Sequence, residues 1–132
     1  VRLDDGRLAI SPWKRDRWIT EGWLQSAGQE QGAPWPESGA AAGPLRCDAL
    51  GCVLDRAGQV VAFARRPEAL EEDCRLADLV ISYPRIETCP GDTPLLGPRA
   101  LRHDGGVAIW LEPSGIRTRT VREARGERPW TR

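Results

Sequence analysis

The sequence QVVAFARRPEALEEDCRLADLVIS, residues 59–82, decides the fold class. Residues 59–64 alternate in a way that suits a sheet, and 78–82 form an apolar run typical of a buried strand. Between them, Pro67 is placed where proline is favoured, in the first turn of a helix. We predict a strand, a helix and a second strand, an order that favours parallel pairing in an α/β fold with a helix packed on a mixed sheet.

The helix predicted in this stretch has an apolar and an acidic side. Leu70, Cys74 and Ala77 fall on one helical face, which we expect to be buried. The first turns carry four acidic residues that complement the positive end of the helix dipole: Glu68, Glu71, Glu72 and Asp73. We therefore interpret the acidic cluster as a solvated helix surface. It needs no catalytic role to account for it.

The chain contains four cysteines: Cys47, Cys52, Cys74 and Cys89. Zinc sites use short spacings such as C-x2-C, a pattern that is absent from this sequence. We therefore expect two disulfides, which indicate an oxidising compartment outside the cytosol, with a metal site or free thiols as the alternatives. Three disulfide connectivities are formally possible.

One connectivity is favoured by the order of the predicted elements. The loop 84–97 contains Cys89 and, folded back over the helix, brings it to Cys74. Cys47 is then left for Cys52, which requires a sharp turn between them. An extended segment would hold their Cα atoms about 16 Å apart, beyond the reach of a disulfide.

The rest of the chain is predicted to form hairpins, two further helices and a loop. Glycine-containing turns between apolar runs predict hairpins at 1–11, 46–64 and 106–121. A short helix is expected at 98–103.

A helix is also predicted over 15–27, with an apolar stripe of Trp18, Ile19, Trp23 and Leu24 that we expect to pack in the core. Residues 28–45 are rich in glycine and proline and predict a flexible surface loop, with Trp35 attaching it to the body. The length suits one domain covering residues 1–132.

Charge is balanced in total but unevenly distributed. Nineteen basic and nineteen acidic residues give no net charge, and Lys14 is the only lysine. The arginine bias agrees with GC-rich coding, and a balanced charge argues against a dedicated DNA-binding protein. However, the segment 117–132 carries six arginines against two glutamates. These side chains either lie on a solvated strand face or contact phosphates, and the DNA-contact candidates are Arg117, Arg119, Arg122, Arg125 and Arg128.

Few residues suit catalysis. His103 is the only histidine, and we interpret it as a solvated residue at the end of a helix. The sequence has neither the G-x-S-x-G turn of a nucleophilic serine nor a glycine-rich phosphate fingerprint. We therefore predict no catalytic residue, no metal ligand and no cofactor. No apolar run approaches the length of a membrane span, and the start at Val1 suggests a fragment of a longer polypeptide.

Several segments together resemble a known family. They are DGRLAI at 5–10, WL at 23–24, RCDALGCV at 46–53, PEALEEDCRLADLV at 67–80 and RGERPW at 125–130. In their order and spacing, they are similar to the C-terminal soluble part of ComEC-type competence proteins of alphaproteobacteria. The resemblance covers most of the chain apart from the loop at 28–44.

The resemblance implies a piece of a polytopic inner-membrane channel that imports single-stranded transforming DNA, with this part on the periplasmic side. Its implied partners are DNA, the transmembrane part of the same parent chain and other competence proteins. Many relatives have a C-terminal region that resembles a metallo-β-lactamase and carries an H-x-H-x-D-H metal motif, which is absent here. The expectation is therefore a degenerate metallo-β-lactamase-like, disulfide-braced domain, without metal-dependent catalysis, that supports or guides DNA entry.

Two other functions remain open at this point. A docking module would bind other periplasmic proteins without affinity for DNA. A hydrolase or nuclease would need a centre built from His103 or acidic residues.

Overall fold

The computed structural model describes residues 1–11 and 17–126. It is a mixed α/β fold with a mixed sheet, a separate two-stranded sheet and disulfide-bonded cysteines. The chain divides into two compact units, Val1–Ala49 and Leu50–Arg132.

The first unit contains one helix and one short strand pair. Helix α1 spans Arg17–Ser26, and strands β1 (Ala41–Ala42) and β2 (Leu45–Cys47) pair antiparallel. The hairpin predicted at 1–11 is present as a short antiparallel pairing, with Arg2 opposite Leu8 and backbone hydrogen bonds from Leu3 N to Arg7 O and from Ala9 N to Val1 O.

The turn of this N-terminal segment is held by Asp5. Its carboxylate accepts hydrogen bonds from the backbone N–H of Arg7 at 2.9 Å and from Arg7 Nε at 2.8 Å. The backbone hydrogen bond and, after it, the guanidinium of Arg7 lower the pKa of the Asp5 carboxyl below its ordinary value.

The segment predicted as a loop at 28–45 is more ordered than its composition suggests. The Gln29 side chain accepts a hydrogen bond from Leu8 N and donates one to Gly6 O, at 3.0 and 2.9 Å. Ala33 forms a parallel bridge with Ala9, and both residues are buried. The segment also contains β1. Backbone pairing with the N-terminal segment, which local composition does not encode, accounts for the difference.

The expectation that the tryptophans of α1 lie in the core is wrong. Trp18 is 74% exposed and Trp23 is 58% exposed, whereas Ile19 and Leu24 are half-buried. Trp18 and Trp23 are five residues apart and therefore point about 140° apart around a helix of 3.6 residues per turn. One buried face of the helix is therefore too narrow to include both indole rings.

The second unit begins with the predicted hairpin and crossover. Strand β3 (Gly51–Arg56) pairs antiparallel with β4 (Gln59–Ala64). A 3₁₀ turn then leads into helix α2 (Leu70–Leu76), and β5 (Leu79–Ser82) returns parallel to β4, with Val61 opposite Leu79. The short strand β6 (Leu95–Leu96) adds a further parallel neighbour to β5. The crossover predicted from 59–82 is confirmed.

The core of this unit lies between α2 and the strands. Leu70, Cys74 and Ala77 are buried, as their helical spacing predicts, and cluster with Ala62 and Val80. Glu68, Glu71 and Glu72 are exposed and Asp73 is half-buried. Burying the apolar face is the main stabilising term for a helix of this length.

Cys74 and Cys89 form a disulfide, which is the pairing that the sequence favoured. Their Cα atoms are 5.6 Å apart. Thr93 Oγ1 donates a hydrogen bond of 2.6 Å to the Cys74 carbonyl, which adds a second link between the loop and α2. Cys47 and Cys52 are also disulfide-bonded, and none of the described cysteines is free.

The second unit ends with helix α3 (Pro98–Asp104), the hairpin β7 (Val107–Glu112) and β8 (Gly115–Thr120), and helix α4 (Val121–Arg125). The short helix and the last hairpin match the sequence predictions closely. Strand β6 and helix α4 were not predicted.

Candidate nucleic-acid interface

The β7–β8 hairpin positions the first two arginine candidates. Its turn contains Pro113 and Ser114, and Gly115 opens β8 at a φ of 141°, a conformation that favours glycine. In this register Trp110 lies opposite Arg117 and Ala108 lies opposite Arg119. Because directly opposed side chains share one face of a sheet, these four residues are on the same face.

We call the residues Trp110, Glu112, Arg117 and Arg119 the hairpin face. The alternate residues of the same strands are apolar in β7 and half-buried: Val107, Ile109 and Leu111. The alternation therefore turns apolar side chains to one side and the arginines to the other, where Arg117 and Arg119 are exposed.

Trp110 and Arg117 make a cation–π contact. The guanidinium carbon of Arg117 lies 4.1 Å from the centroid of the indole, and Trp110 is 39% exposed. Glu112 accepts a hydrogen bond from Arg117 Nε at 3.1 Å. Ring and carboxylate together orient the guanidinium plane, and one cation–π pair at an exposed site contributes about 0.5–1 kcal/mol.

Helix α4 follows β8 directly and carries two more candidates. The Thr120 hydroxyl accepts a hydrogen bond from Glu123 N at 3.0 Å, and the Glu123 carboxylate accepts one from Thr120 N at 2.7 Å. This reciprocal capping box begins the helix at a defined residue. Arg122 and Arg125 lie one turn apart on α4, and both are exposed.

Arg122 also contacts α3. Its Nη1 lies 2.8 Å from Nε2 of His103 and 3.3 Å from Nδ1. His103 Nδ1 lies 3.0 Å from a carboxylate oxygen of Asp104. His103 is exposed at the end of a helix, as predicted, but its ring has defined partners on α3 and α4.

The segment 98–126 is electropositive. It has six arginines against three acidic residues, Asp104, Glu112 and Glu123. The segment 67–78, which includes α2, has five acidic residues against Arg75. The excess of acidic residues and the excess of arginines therefore lie on different elements of the second unit. An anionic ligand is attracted to the segment 98–126.

The structure brings the arginine candidates together in two pairs and does not join all of them into one cluster. Arg117 and Arg119 share the hairpin face, and Arg122 and Arg125 share α4. Arg128 lies outside the described residues. Trp110 was missed as a candidate because it lies outside the arginine-rich segment 117–132, but the hairpin predicted at 106–121 contained the signal, since it pairs the strand of Trp110 with the strand of Arg117.

The residues do not fit the metal centre of metallo-β-lactamases. Within 1–11 and 17–126, no group of three or more histidine, cysteine or acidic side chains is arranged to hold a metal ion. The H-x-H-x-D-H motif is absent from the sequence, which has one histidine.

In the part of the chain that the structure covers, no helix has both the length and the apolar character needed to cross a membrane. Comparisons with protein-family models, curated proteins and solved structures returned no match.

Proposed function

We propose that this chain is a DNA-contacting domain that supports or guides DNA entry through an uptake channel, using the hairpin face as its first contact surface. The observation that carries the proposal is the Trp110–Arg117 pair. A planar guanidinium binds phosphate oxygens, and an exposed indole stacks on bases, so the pair combines both elements of a single-strand binding surface.

Further cations extend this surface. Arg119 lies on the same face of the hairpin, opposite Ala108, and Arg122 and Arg125 follow on α4. In the sequence, the arginine-rich segment 117–132 has one aromatic residue, Trp130, whereas single-strand binding surfaces use several rings on which bases stack. Trp110 supplies a further ring, in contact with Arg117.

The proposed setting is the periplasmic side of the inner membrane, as part of a longer polytopic chain. Disulfide-bonded cysteines are typical of such an oxidising compartment. The proposed partners are DNA, the transmembrane part of the same chain and other competence proteins. These assignments rest on the resemblance to ComEC-type proteins.

We assign the fold, within the same proposal, to a degenerate metallo-β-lactamase-like type without metal-dependent catalysis of its own. The parallel β4–α2–β5 crossover, a strand–helix–strand unit of an α/β layer, supports the fold assignment. A domain of this kind contacts DNA without cleaving it.

The test is a titration of the oxidised chain with labelled single- and double-stranded oligonucleotides at several salt concentrations. It is repeated with Mg²⁺, Mn²⁺ or Zn²⁺. We expect salt-sensitive binding to single strands without cleavage, because phosphate contacts release counterions on binding. Trp110→Ala is expected to weaken single-strand binding by about 1–3 kcal/mol, the usual contribution of one stacked base.

Matched controls separate a specific surface from general charge. Trp18→Ala removes another exposed indole, and Arg75→Gln removes an exposed arginine from α2. Both are expected to leave affinity unchanged. Absence of binding at low salt would overturn the proposal and favour a docking module, while metal-dependent cleavage would favour the hydrolase alternative.

A further inference from the structure

Glu112 places a carboxylate beside the Trp110–Arg117 pair. Its Oε1 accepts a hydrogen bond from Arg117 Nε at 3.1 Å, and the guanidinium carbon of that arginine lies 4.1 Å from the centroid of the Trp110 ring. Because Nε is bonded directly to the guanidinium carbon, the carboxylate lies within about one guanidinium width of the indole. Glu112 and Trp110 are alternate residues of β7 and project from the same face. Ring, guanidinium and carboxylate therefore form one contiguous group.

Only one of the two carboxylate oxygens is engaged in this group. Within residues 1–11 and 17–126, Oε2 of Glu112 has no hydrogen-bond partner, and 42% of the side-chain surface is exposed. An ionised carboxylate accepts hydrogen bonds through both oxygens and donates none. The contact with Arg117 therefore holds the carboxylate in place through Oε1, while Oε2 offers an oriented acceptor to a ligand that carries N–H donors.

The four DNA bases differ in what they present to such an acceptor. Cytosine, adenine and guanine each carry an exocyclic amino group that donates hydrogen bonds, whereas thymine has the acceptor O4 in place of the amino group of cytosine. The N3–H of thymine is flanked by two carbonyl oxygens, whose partial negative charges are repelled by a carboxylate. Bases of a single strand leave these edges unpaired, so a side chain next to a stacked base reads them directly.

A carboxylate on this face does not prevent the binding of a polyanion. Arg119 lies opposite Ala108 on the same face of the hairpin and is exposed. Two guanidinium groups, from Arg117 and Arg119, therefore accompany the one carboxylate of Glu112. The hairpin face keeps a net positive charge, and its cations suit the phosphates of the strand.

We propose that Glu112 is a specificity-determining residue of the hairpin face, which favours single-stranded DNA whose bases carry an exocyclic amino group and disfavours thymine. This inference rests on the proposed function. Trp110 stacks on a base, Arg117 and Arg119 bind the neighbouring phosphates, and Oε2 of Glu112 accepts a hydrogen bond from the amino group at the base edge.

The test compares two single strands of equal length, one of thymidine and one of 5-methyldeoxycytidine. The two bases have the same ring size and the same methyl group, and they differ at C4, which carries an oxygen or an amino group, and in the proton on N3. Stacking and phosphate contacts are therefore matched. At neutral pH and constant low salt, the wild-type chain is expected to bind the 5-methylcytosine strand about fivefold to tenfold more tightly, as one hydrogen bond to a charged acceptor provides.

Two variants assign the preference to Glu112. Glu112→Gln adds an amide donor that serves O4 of thymine, so the ratio of the two affinities should fall below about twofold while both strands still bind. Glu72→Gln removes an exposed carboxylate from α2 and should keep the wild-type ratio. An unchanged ratio in Glu112→Gln would overturn the role of this residue.

A second arm uses the free nucleosides, which have no phosphate. NMR follows the indole N–H of Trp110, identified by its loss in Trp110→Ala. At equal millimolar concentration, 5-methyldeoxycytidine is expected to shift this resonance more than thymidine does.

The possible failures are distinguishable. Equal affinity of the wild-type chain for the two strands would overturn the base preference and leave the proposed function in place. Absence of binding to either strand would overturn the proposed function. The nucleoside arm then decides the base preference by itself, because equal shifts with the two nucleosides would overturn it.

Discussion

The guanidinium carbon of Arg117 lies 4.1 Å from the centroid of the Trp110 ring, across the β7–β8 register that places the two residues opposite each other. Glu112, on the same face, accepts from Arg117 Nε at 3.1 Å. The arginine is therefore oriented before any ligand arrives. A preorganised guanidinium loses less conformational freedom on binding than an unrestrained one.

The contact between Trp110 and Arg117 should be measurable as a coupling energy. Trp110→Ala, Arg117→Gln and the double variant form a cycle in urea unfolding. We expect a coupling of about 0.5–1 kcal/mol in the free energy of unfolding, the usual size of an exposed cation–π pair. Thr118 is the neighbour of Arg117 on β8 and lies opposite Ile109. A cycle of Trp110→Ala with Thr118→Ala is therefore the control, and a coupling as large in that cycle would contradict the assignment.

The Cys74–Cys89 disulfide should make a large contribution to stability. The two residues are 15 apart in sequence, and closing a loop of that size constrains the unfolded chain by about 3 kcal/mol. The double variant Cys74→Ala, Cys89→Ala is expected to lose about that amount in urea unfolding of the oxidised chain. A loss below about 1 kcal/mol would show that the Thr93 hydrogen bond to Cys74 O and the β5–β6 pairing hold the loop without the bridge.

In the β3–β4 turn, Ala57 adopts a left-handed backbone conformation that is unfavourable for alanine. Ala57 has a φ of 54° and Gly58 a φ of 76°, as a two-residue hairpin turn of type I′ requires. Alanine in the left-handed region costs about 1–2 kcal/mol, and asparagine tolerates it better. Ala57→Asn should therefore raise the free energy of unfolding by about 0.5–1 kcal/mol.

The matched control is Ala124→Asn, at an exposed position in α4. Asparagine is a poorer helix former than alanine, so this variant should be neutral or destabilising by at most about 0.7 kcal/mol. If Ala57→Asn did not raise the free energy of unfolding, turn strain at Ala57 would be the wrong explanation.

Asp5 should titrate at lower pH than an ordinary aspartate. Hydrogen bonds from the backbone and side chain of Arg7 favour the ionised carboxylate and lower its pKa in the folded state. The stability that Asp5 contributes is then present above its unfolded-state pKa and lost as the pH falls through the folded-state pKa. NMR titration of the carboxyl carbon measures this directly.

Arg7→Gln keeps the backbone donor and removes the guanidinium. The pKa of Asp5 should rise in this variant but stay below its ordinary value, because the backbone hydrogen bond is the larger cause. A return to the ordinary value would mean that the side chain alone is responsible.

The candidate site was partly accessible to sequence reasoning. Arg117, Arg119, Arg122 and Arg125 were identified as candidates, since a run of arginines is visible without any structure. Trp110 was missed because it precedes Arg117 by seven residues, and only hairpin register brings the two together. The contact between His103 and Arg122 spans nineteen residues and depends on how α3 and α4 meet.

By itself, the sequence determined the β4–α2–β5 crossover, since apolar spacing and the position of Pro67 act locally. It also favoured the Cys74–Cys89 pairing, because that follows from the order of the elements. Tertiary structure decided the exposure of Trp18 and Trp23 and the pairing of Ala33 with Ala9. The physical reason is that periodicity shows which residues share a face, whereas burial and partner choice depend on what packs against that face from elsewhere in the chain.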